Sequence, residues 1–389
     1  MGRRRPTCRF HATAGIVITL AVYITSREEK IGGEGIDSLA TVEGGDRKHF
    51  VSQSSHVFGQ RSDTDTRTSS TDNNAVESTH EDASSQSSPL FHQVFTTGSD
   101  YLSTINVRSI ESVFYVYPNA RLHLHYNKKT EIDINNQRLK PLLDEGYNIT
   151  IMPYDPAKQL RLAAKISARQ DKQVDGALAQ QYIDNIKPKY SKEKFWFSNE
   201  ANLLRLCLLY TVGGTYLDTD VILIKPLDDF DNAVAGSKGK SIHCAVLRFT
   251  KPGNLYLAAA INNFVMNYDG TKWGNNGPSV FRRVAEDHLE FVCPGDVGFA
   301  RKSKQMKGGS CYVNILPAST FAPIGWRDWE DTCSKPGESP VDREAKALLK
   351  HSYAVHLNNQ ITGPLLSKVG YVKGSVCHMV LTKYCKVCS

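Results

Sequence analysis

This chain has no basic stripe interleaved with aromatic residues, and a formal charge of +7 over 389 residues is mild. Nothing in it points to nucleic acid as a partner. Nine cysteines are too few to scaffold a chain of this length with disulfides alone. Apolar residues are scarce between 27 and 88, where RSDTDTRTSSTDNNAVESTHEDASSQSS sets the composition. Such a segment buries too little surface to offset the entropy of folding, so residues 27–88 read as a disordered stem. The apolar run that precedes it is short, at about 15–17 residues against the roughly 20 of a usual spanning helix. It is followed by no convincing small-x-small cleavage site after Ile24. A signal anchor over 11–26 is therefore preferred to a cleaved signal peptide or a buried soluble helix. Arg3, Arg4 and Arg5 make residues 1–10 a cytosolic tip and place the body in the lumen. Short anchors suit the thinner membranes of the early secretory pathway, so a single-pass type II protein of the Golgi membrane is expected.

From 89 to 389 the apolar content suffices for a core. Leu90 to Thr97, Arg121 to Asn127 and Tyr147 to Tyr154 read as strands. Helices are expected over Tyr101 to Tyr117, Asn135 to Asp144 and Ala157 to Ile183. Strands alternating with helices predict an α/β fold of Rossmann type, a mostly parallel sheet with helices on its faces. Ligands bind such sheets beyond the carboxyl ends of the strands. Phe95 and Thr96 are thus candidates for holding a nucleobase, with Phe95 equally suited to the core. His123 and His125 share a strand face and are expected to be structural. Asn148-Ile149-Thr150 is a sequon inside a strand.

The stretch Ser198 to Pro226, SNEANLLRLCLLYTVGGTYLDTDVILIKP, organises the rest. Ser198 or Asn199 can cap a helix, and Glu200 suits the positive end of its dipole. Five leucines from Leu203 to Leu209 bury that helix on most sides, and Gly213-Gly214 ends it. Thr215 to Lys225 then reads as a strand, which would put Asp218 and Asp220 on one face roughly 6.5–7 Å apart. Two carboxylates beside an apolar core call for a hard cation between them, Mn²⁺ or Mg²⁺. An Asp-x-Asp alone would equally open a surface turn. The haloacid-dehalogenase signature fits poorly, because only Thr215, Tyr216 and Leu217 separate Gly214 from Asp218. Arg205, a permanent charge among leucines, needs a partner: a diphosphate gripped by its fork, or a structural carboxylate.

NLLRLCLLYTVGGTYLDTDVILIKPL resembles the DXD sugar-binding region of the α1,4-galactosyl- and α1,4-N-acetylglucosaminyltransferase family (lactosylceramide 4-α-galactosyltransferase-like members). The similarity extends more thinly from about Pro89 to the C-terminus. It implies an A-type glycosyltransferase fold in which Asp218 and Asp220 hold Mn²⁺ against the diphosphate of a UDP-sugar. It also implies a glycan or glycolipid acceptor and retention of anomeric configuration. Asn202 and Arg205 match donor-contacting positions, although many members carry Ser-Asp where this chain has Ala201-Asn202. Tyr216 is counted with the substrate-binding residues. NYDGTKWGNNGPSVFRRV matches the family's Trp-Gly-x-x-Gly-Pro segment, making Trp273 and Gly277 candidate sugar contacts and Asn276 a candidate catalytic residue. In SYAVHLNNQ, the match to Ala-Val-His-x-x-Asn makes His356 a candidate third metal ligand; Leu357 stands where the family often has Trp.

Of the cysteines after the anchor, Cys293 with Cys311 closes a short loop. Cys377, Cys385 and Cys388 cluster at the end with Cys333 available, and Cys207 is expected to be a free buried thiol. The expected function is metal-dependent transfer of galactose or N-acetylglucosamine from a UDP-sugar, with an α1,4 linkage. The alternatives are a non-catalytic sugar- or nucleotide-binding protein that keeps the fold, and a metal-dependent phosphatase.

Overall fold

Strand β1 (Leu90–Phe95) lies near the middle of a mostly parallel sheet, flanked by β2 (Arg121–Tyr126) and β4 (Gly214–Leu217), both parallel to it. Strand β3 (Asn148–Pro153) forms the edge beyond β2. On the other side β7 (Ile242–Phe249) runs antiparallel to β4, followed by β6 (Ala233–Gly236) and β8 (Asn314–Leu316). The order is β3-β2-β1-β4-β7-β6-β8, and β5 (Val221–Leu223) pairs separately with β9 (Ala354–His356). The computed structural model describes residues 88–96, 102–126, 138–169, 173–236, 242–293, 311–325, 327–334, 340–360, 362–364 and 371–387. The expected tip, the anchor and all of the stem before Ser88 lie outside these residues, as do Thr97, Asn135 and Cys388. Among the described residues no helix is long and apolar enough to cross a membrane.

Successive residues of a strand face opposite ways, so the sheet builds two cores. Val94, Tyr216, Leu247 and Phe249 pack with the long helix Trp196–Thr211 and the helix Leu255–Met266. Phe91, Phe95, Leu122, Leu124, Leu217 and Val246 pack with helix α1 (Thr104–Val116). The latter begins in a capping box between Ser103 and Asn106.

Three expectations are corrected. The long helix starts at Trp196 with no side-chain cap, so Ser198, Asn199 and Glu200 are inside it. Buried Trp196 stacks on Tyr182 at 6.3 Å, and that packing outweighs the cap chemistry of the residues after it. The single helix expected over Ala157–Ile183 is broken into Pro156–Ser167 and Gly176–Gln181, each capped by its own aspartate, Asp155 and Asp175. Thr215–Lys225 is not one strand: β4 ends at Leu217, the chain turns through Asp218, Thr219 and Asp220, and β5 leaves for a different sheet. The helix stop at Gly213-Gly214 is as expected, with φ of 76° and 111°. A Cβ on Gly213 would lie 2.6 Å from the Thr250 carbonyl oxygen.

Candidate active site

The two aspartates converge because the chain turns between them. The Val221 amide donates to the Asp218 carbonyl at 3.1 Å, closing the turn at the carboxyl end of β4. Helix α1 fixes this turn from below with polar residues three apart. Asn106 donates to the Thr219 carbonyl at 3.0 Å, Ser109 to that of Val221 at 2.7 Å, and the Leu223 amide donates to Ser112 at 2.9 Å. All three side chains are buried, and their 3.6-residue periodicity meets the two-residue repeat of residues 219, 221 and 223. That match of spacings is what holds β5 away from the main sheet.

Asp218, Asp220 and His356 each offer a ligand atom, and these atoms all lie within 4.8 Å of one another. His356 arrives at the end of β9, whose pairing sets it opposite Val221. Its Nε2 lies 3.2 Å from Asp220 Oδ1, and the Asn359 amide donates to Asp220 Oδ2 at 2.8 Å. The Leu357 amide donates to the Asp220 carbonyl at 2.9 Å. Burial alone would raise the Asp220 pKa, but His356 more than offsets it and the carboxyl is held below its ordinary value. Burial would likewise lower that of His356, and Asp220 carries it above the ordinary imidazole value instead. Two carboxylates and one imidazole fit a divalent cation such as Mn²⁺.

Arg205 is engaged within the protein. Its Nη2 pairs with Asp218 Oδ1 at 3.0 Å, Nη1 donates to the Cys244 carbonyl at 2.5 Å and Nε to that of Ala201 at 3.3 Å. The guanidinium lies 4.4 Å from the centre of the Tyr216 ring, and the Tyr216 hydroxyl donates to the same Asp218 oxygen at 2.7 Å. Burial acts to lower the Arg205 pKa and Asp218 reverses this, so the group stays charged. One of the two partners expected for this arginine is a carboxylate, and here it is the first acid of the pair itself. Arg205 and Tyr216 therefore orient Asp218.

Other expected residues are placed differently. Phe95 is 1% exposed and its ring belongs to the core, a correction to its nucleobase role; Thr96, just beyond β1, is half-buried. Trp273 is 66% exposed, with its indole open to a ligand. Asn276 is fully buried: it donates to the Asp269 carbonyl at 2.8 Å and accepts from the Asp269 amide at 3.0 Å. Its amide fastens the loop, so the residue acts on the loop's shape. Gly277 lies against the long helix, where a Cβ would come 2.8 Å from Asn202 Nδ2. A cavity of about 340 Å³ between Leu255, Met266 and Phe291 is lined by none of these residues.

His243 is the residue that sequence reasoning missed. From β7 its Nε2 meets His356 Nδ1 at 2.8 Å, behind the candidate ligand. Burial, with His356 adding to it, brings its pKa down to about 3, so it stays neutral. Nothing in IHCAVLRF marks this histidine, because its partner lies 113 positions away.

With this geometry in view, residues 108–238 match the glycosyltransferase sugar-binding region containing a DXD motif. Residues 249–389 match the alpha 1,4-glycosyltransferase conserved region. Fold, site and the first match define the class, the DXD-containing glycosyltransferases. The second narrows the likeness: the C-terminal part is similar to the α1,4-glycosyltransferases. It is similar to mouse lactosylceramide 4-alpha-galactosyltransferase, 33% identical over 156 residues that cover 40% of this chain and 39% of that one. Human alpha-1,4-N-acetylglucosaminyltransferase is 27% identical over 172 residues, 44% of this chain and 45% of its own. These matches span less than half the length of either relative. Among solved structures, mouse xyloside xylosyltransferase 1 aligns at a TM-score of 0.34 and 9% identity, over 70% of this chain and 98% of that one.

Proposed function

We propose that the chain transfers a hexose, galactose or N-acetylglucosamine, from a UDP-sugar to a glycan or glycolipid, with retention and in α1,4 linkage. The observation that carries this reading is the convergence of Asp218, Asp220 and His356 at the carboxyl end of a strand in a mostly parallel sheet. Those three residues would hold Mn²⁺ or Mg²⁺, which when bound neutralises charge on the leaving diphosphate. Arg205 and Tyr216 keep Asp218 aimed; the Asn359 amide does the same for Asp220. Trp273 offers its exposed face to a sugar ring. The contact between Gly277 and Asn202 sets the loop carrying it against the long helix. Since no dedicated base stands out among the described residues, the departing phosphate oxygen takes the acceptor proton in this reading.

The compartment proposed is the Golgi membrane, with the body lumenal. The apolar run of the N-terminal sequence supports it, and so do the Cys293–Cys311 and Cys333–Cys377 disulfides, which suit an oxidising lumen.

A panel of UDP-sugars, scored for Mn²⁺-dependent UDP release and for transfer to lactosyl and N-acetylglucosaminyl acceptors, tests the activity. One donor should turn over, and Asp220→Asn should lower that rate at least a hundredfold while far-UV circular dichroism is unchanged. Parental turnover by Asp220→Asn would remove the metal role. Tight UDP binding without transfer or hydrolysis of any donor would favour the non-catalytic binding protein.

A further inference from the structure

A second cluster of metal-ligating side chains lies outside the site just described. His92 on β1 stands opposite His123 on β2 in the parallel register, and His125 follows two residues later on the same face. One nitrogen from each of the three rings falls within 4.8 Å of the others. His92 Nδ1 and His125 Nε2 are 3.3 Å apart. Two nitrogens bound tetrahedrally to Zn²⁺ at about 2.0–2.1 Å would be separated by roughly 3.3–3.4 Å, so this pair already has the spacing.

The tautomer of His92 is fixed by its other nitrogen. Nε2 lies 3.1 Å from the Gly213 carbonyl oxygen, which can only accept, so Nε2 carries the hydrogen and Nδ1 presents its lone pair to the cluster. A backbone carbonyl behind a ring nitrogen is the support that metal-ligating histidines usually have. His92 and His125 are both buried, among apolar strand neighbours that favour the neutral imidazole that binds metal. His123 is only half-buried, so the cluster is partly open to solvent on its side.

We propose that His92, His123 and His125 form a second metal site, distinct from the carboxylate site, that takes Zn²⁺ or a similar borderline ion. Three imidazoles with no carboxylate suit Zn²⁺ and disfavour Mg²⁺ and Mn²⁺, the reverse of the preference at Asp218 and Asp220. The site joins β1 and β2 to Gly213, the residue that ends the long helix immediately before β4. An ion there fastens the amino end of the strand whose carboxyl end carries Asp218.

The test uses the full-length chain, stripped with chelator and titrated with Zn²⁺, with Co²⁺ as the spectroscopic probe. Asp218→Asn/Asp220→Asn should retain one equivalent of Zn²⁺ and the intense visible absorption of tetrahedral Co²⁺. His123→Ala, chosen because the ring is partly exposed, should weaken Zn²⁺ at least tenfold, the scale on which even outer-shell partners act. It should also abolish the rise in melting temperature on Zn²⁺ addition, while its own metal-free melt stays near that of the parent. Equal Zn²⁺ affinity in His123→Ala and the parent would overturn the proposal. So would loss of all Zn²⁺ binding in the double aspartate variant. Because the readout is bound metal, a failure of the transferase reading would leave this result standing, and the converse holds.

Discussion

Arg205 shows how one side chain can be legible as important while its partner stays open. A guanidinium inside a leucine-rich helix had to have a partner, and the sequence left two open. The fold supplies Asp218 as that partner, together with the carbonyls of Cys244 and Ala201. Arg205→Lys keeps the charge and loses the fork, so it should cost about 1–3 kcal/mol in urea unfolding, from buried acceptors left unmatched. At the same scale, His243 stands behind His356 at 2.8 Å. His243→Phe removes that support, and Mn²⁺ affinity measured by calorimetry should fall about 10–100-fold. A change under threefold would mean that His356 is held by β9 alone.

At the level of elements, α1 and the long helix carry the next two tests. Ser109 accepts from Gln93 at 2.7 Å and donates to the Val221 carbonyl at 2.7 Å, linking β1 and β5 through one hydroxyl. Ser109→Ala leaves both partners buried and unmatched; about 1–3 kcal/mol should be lost, and transfer activity with it, because β5 follows the aspartates directly. In the long helix, burial raises the Glu200 carboxyl to about 7, against the opposing pull of Lys187 and the Tyr154 hydroxyl. A native pKa above the unfolded one means that the folded state holds the extra proton between about 4.5 and 7. Stability from this group is therefore present at low pH and is lost as pH rises through that window. Glu200→Gln should flatten this part of the pH–stability curve and raise the melt at pH 8; an unchanged curve would place the titration elsewhere.

For the whole molecule, the Cys333–Cys377 disulfide ties the helix Val376–Lys383 to the helix Trp329–Ser334 across 44 positions. Loop-closure entropy for that length is worth roughly 4 kcal/mol, against about 3 for the 18 positions between Cys293 and Cys311. Cys333→Ser/Cys377→Ser should therefore lower stability more than Cys293→Ser/Cys311→Ser in guanidinium unfolding. The reverse order would show that loop length is not the governing factor here. Cys293 with Cys311 was legible as a short loop, and Cys207 as a buried thiol, because both depend on local spacing and apolar context. The pairing of Cys333 was open among several cysteines, since connectivity is a matter of where helices meet.

Composition and periodicity determined β1, β2 and β3, the helix after β1, the Gly213-Gly214 stop and the Asp218–Asp220 pair as one that could hold a cation; His356 came from the family resemblance. All but the last follow from short-range rules: which face a side chain takes, and where a backbone can adopt positive φ. The distance between Asp218 and Asp220 was a tertiary matter. An extended chain would keep their side chains apart, and only the departure of β5 to pair with β9, steadied by α1, turns them toward His356. The partners of Arg205, the support from His243 and the meeting of His92 with His123 and His125 likewise join residues distant in sequence. Contacts of that range are set by which strands lie side by side, and no local pattern encodes them.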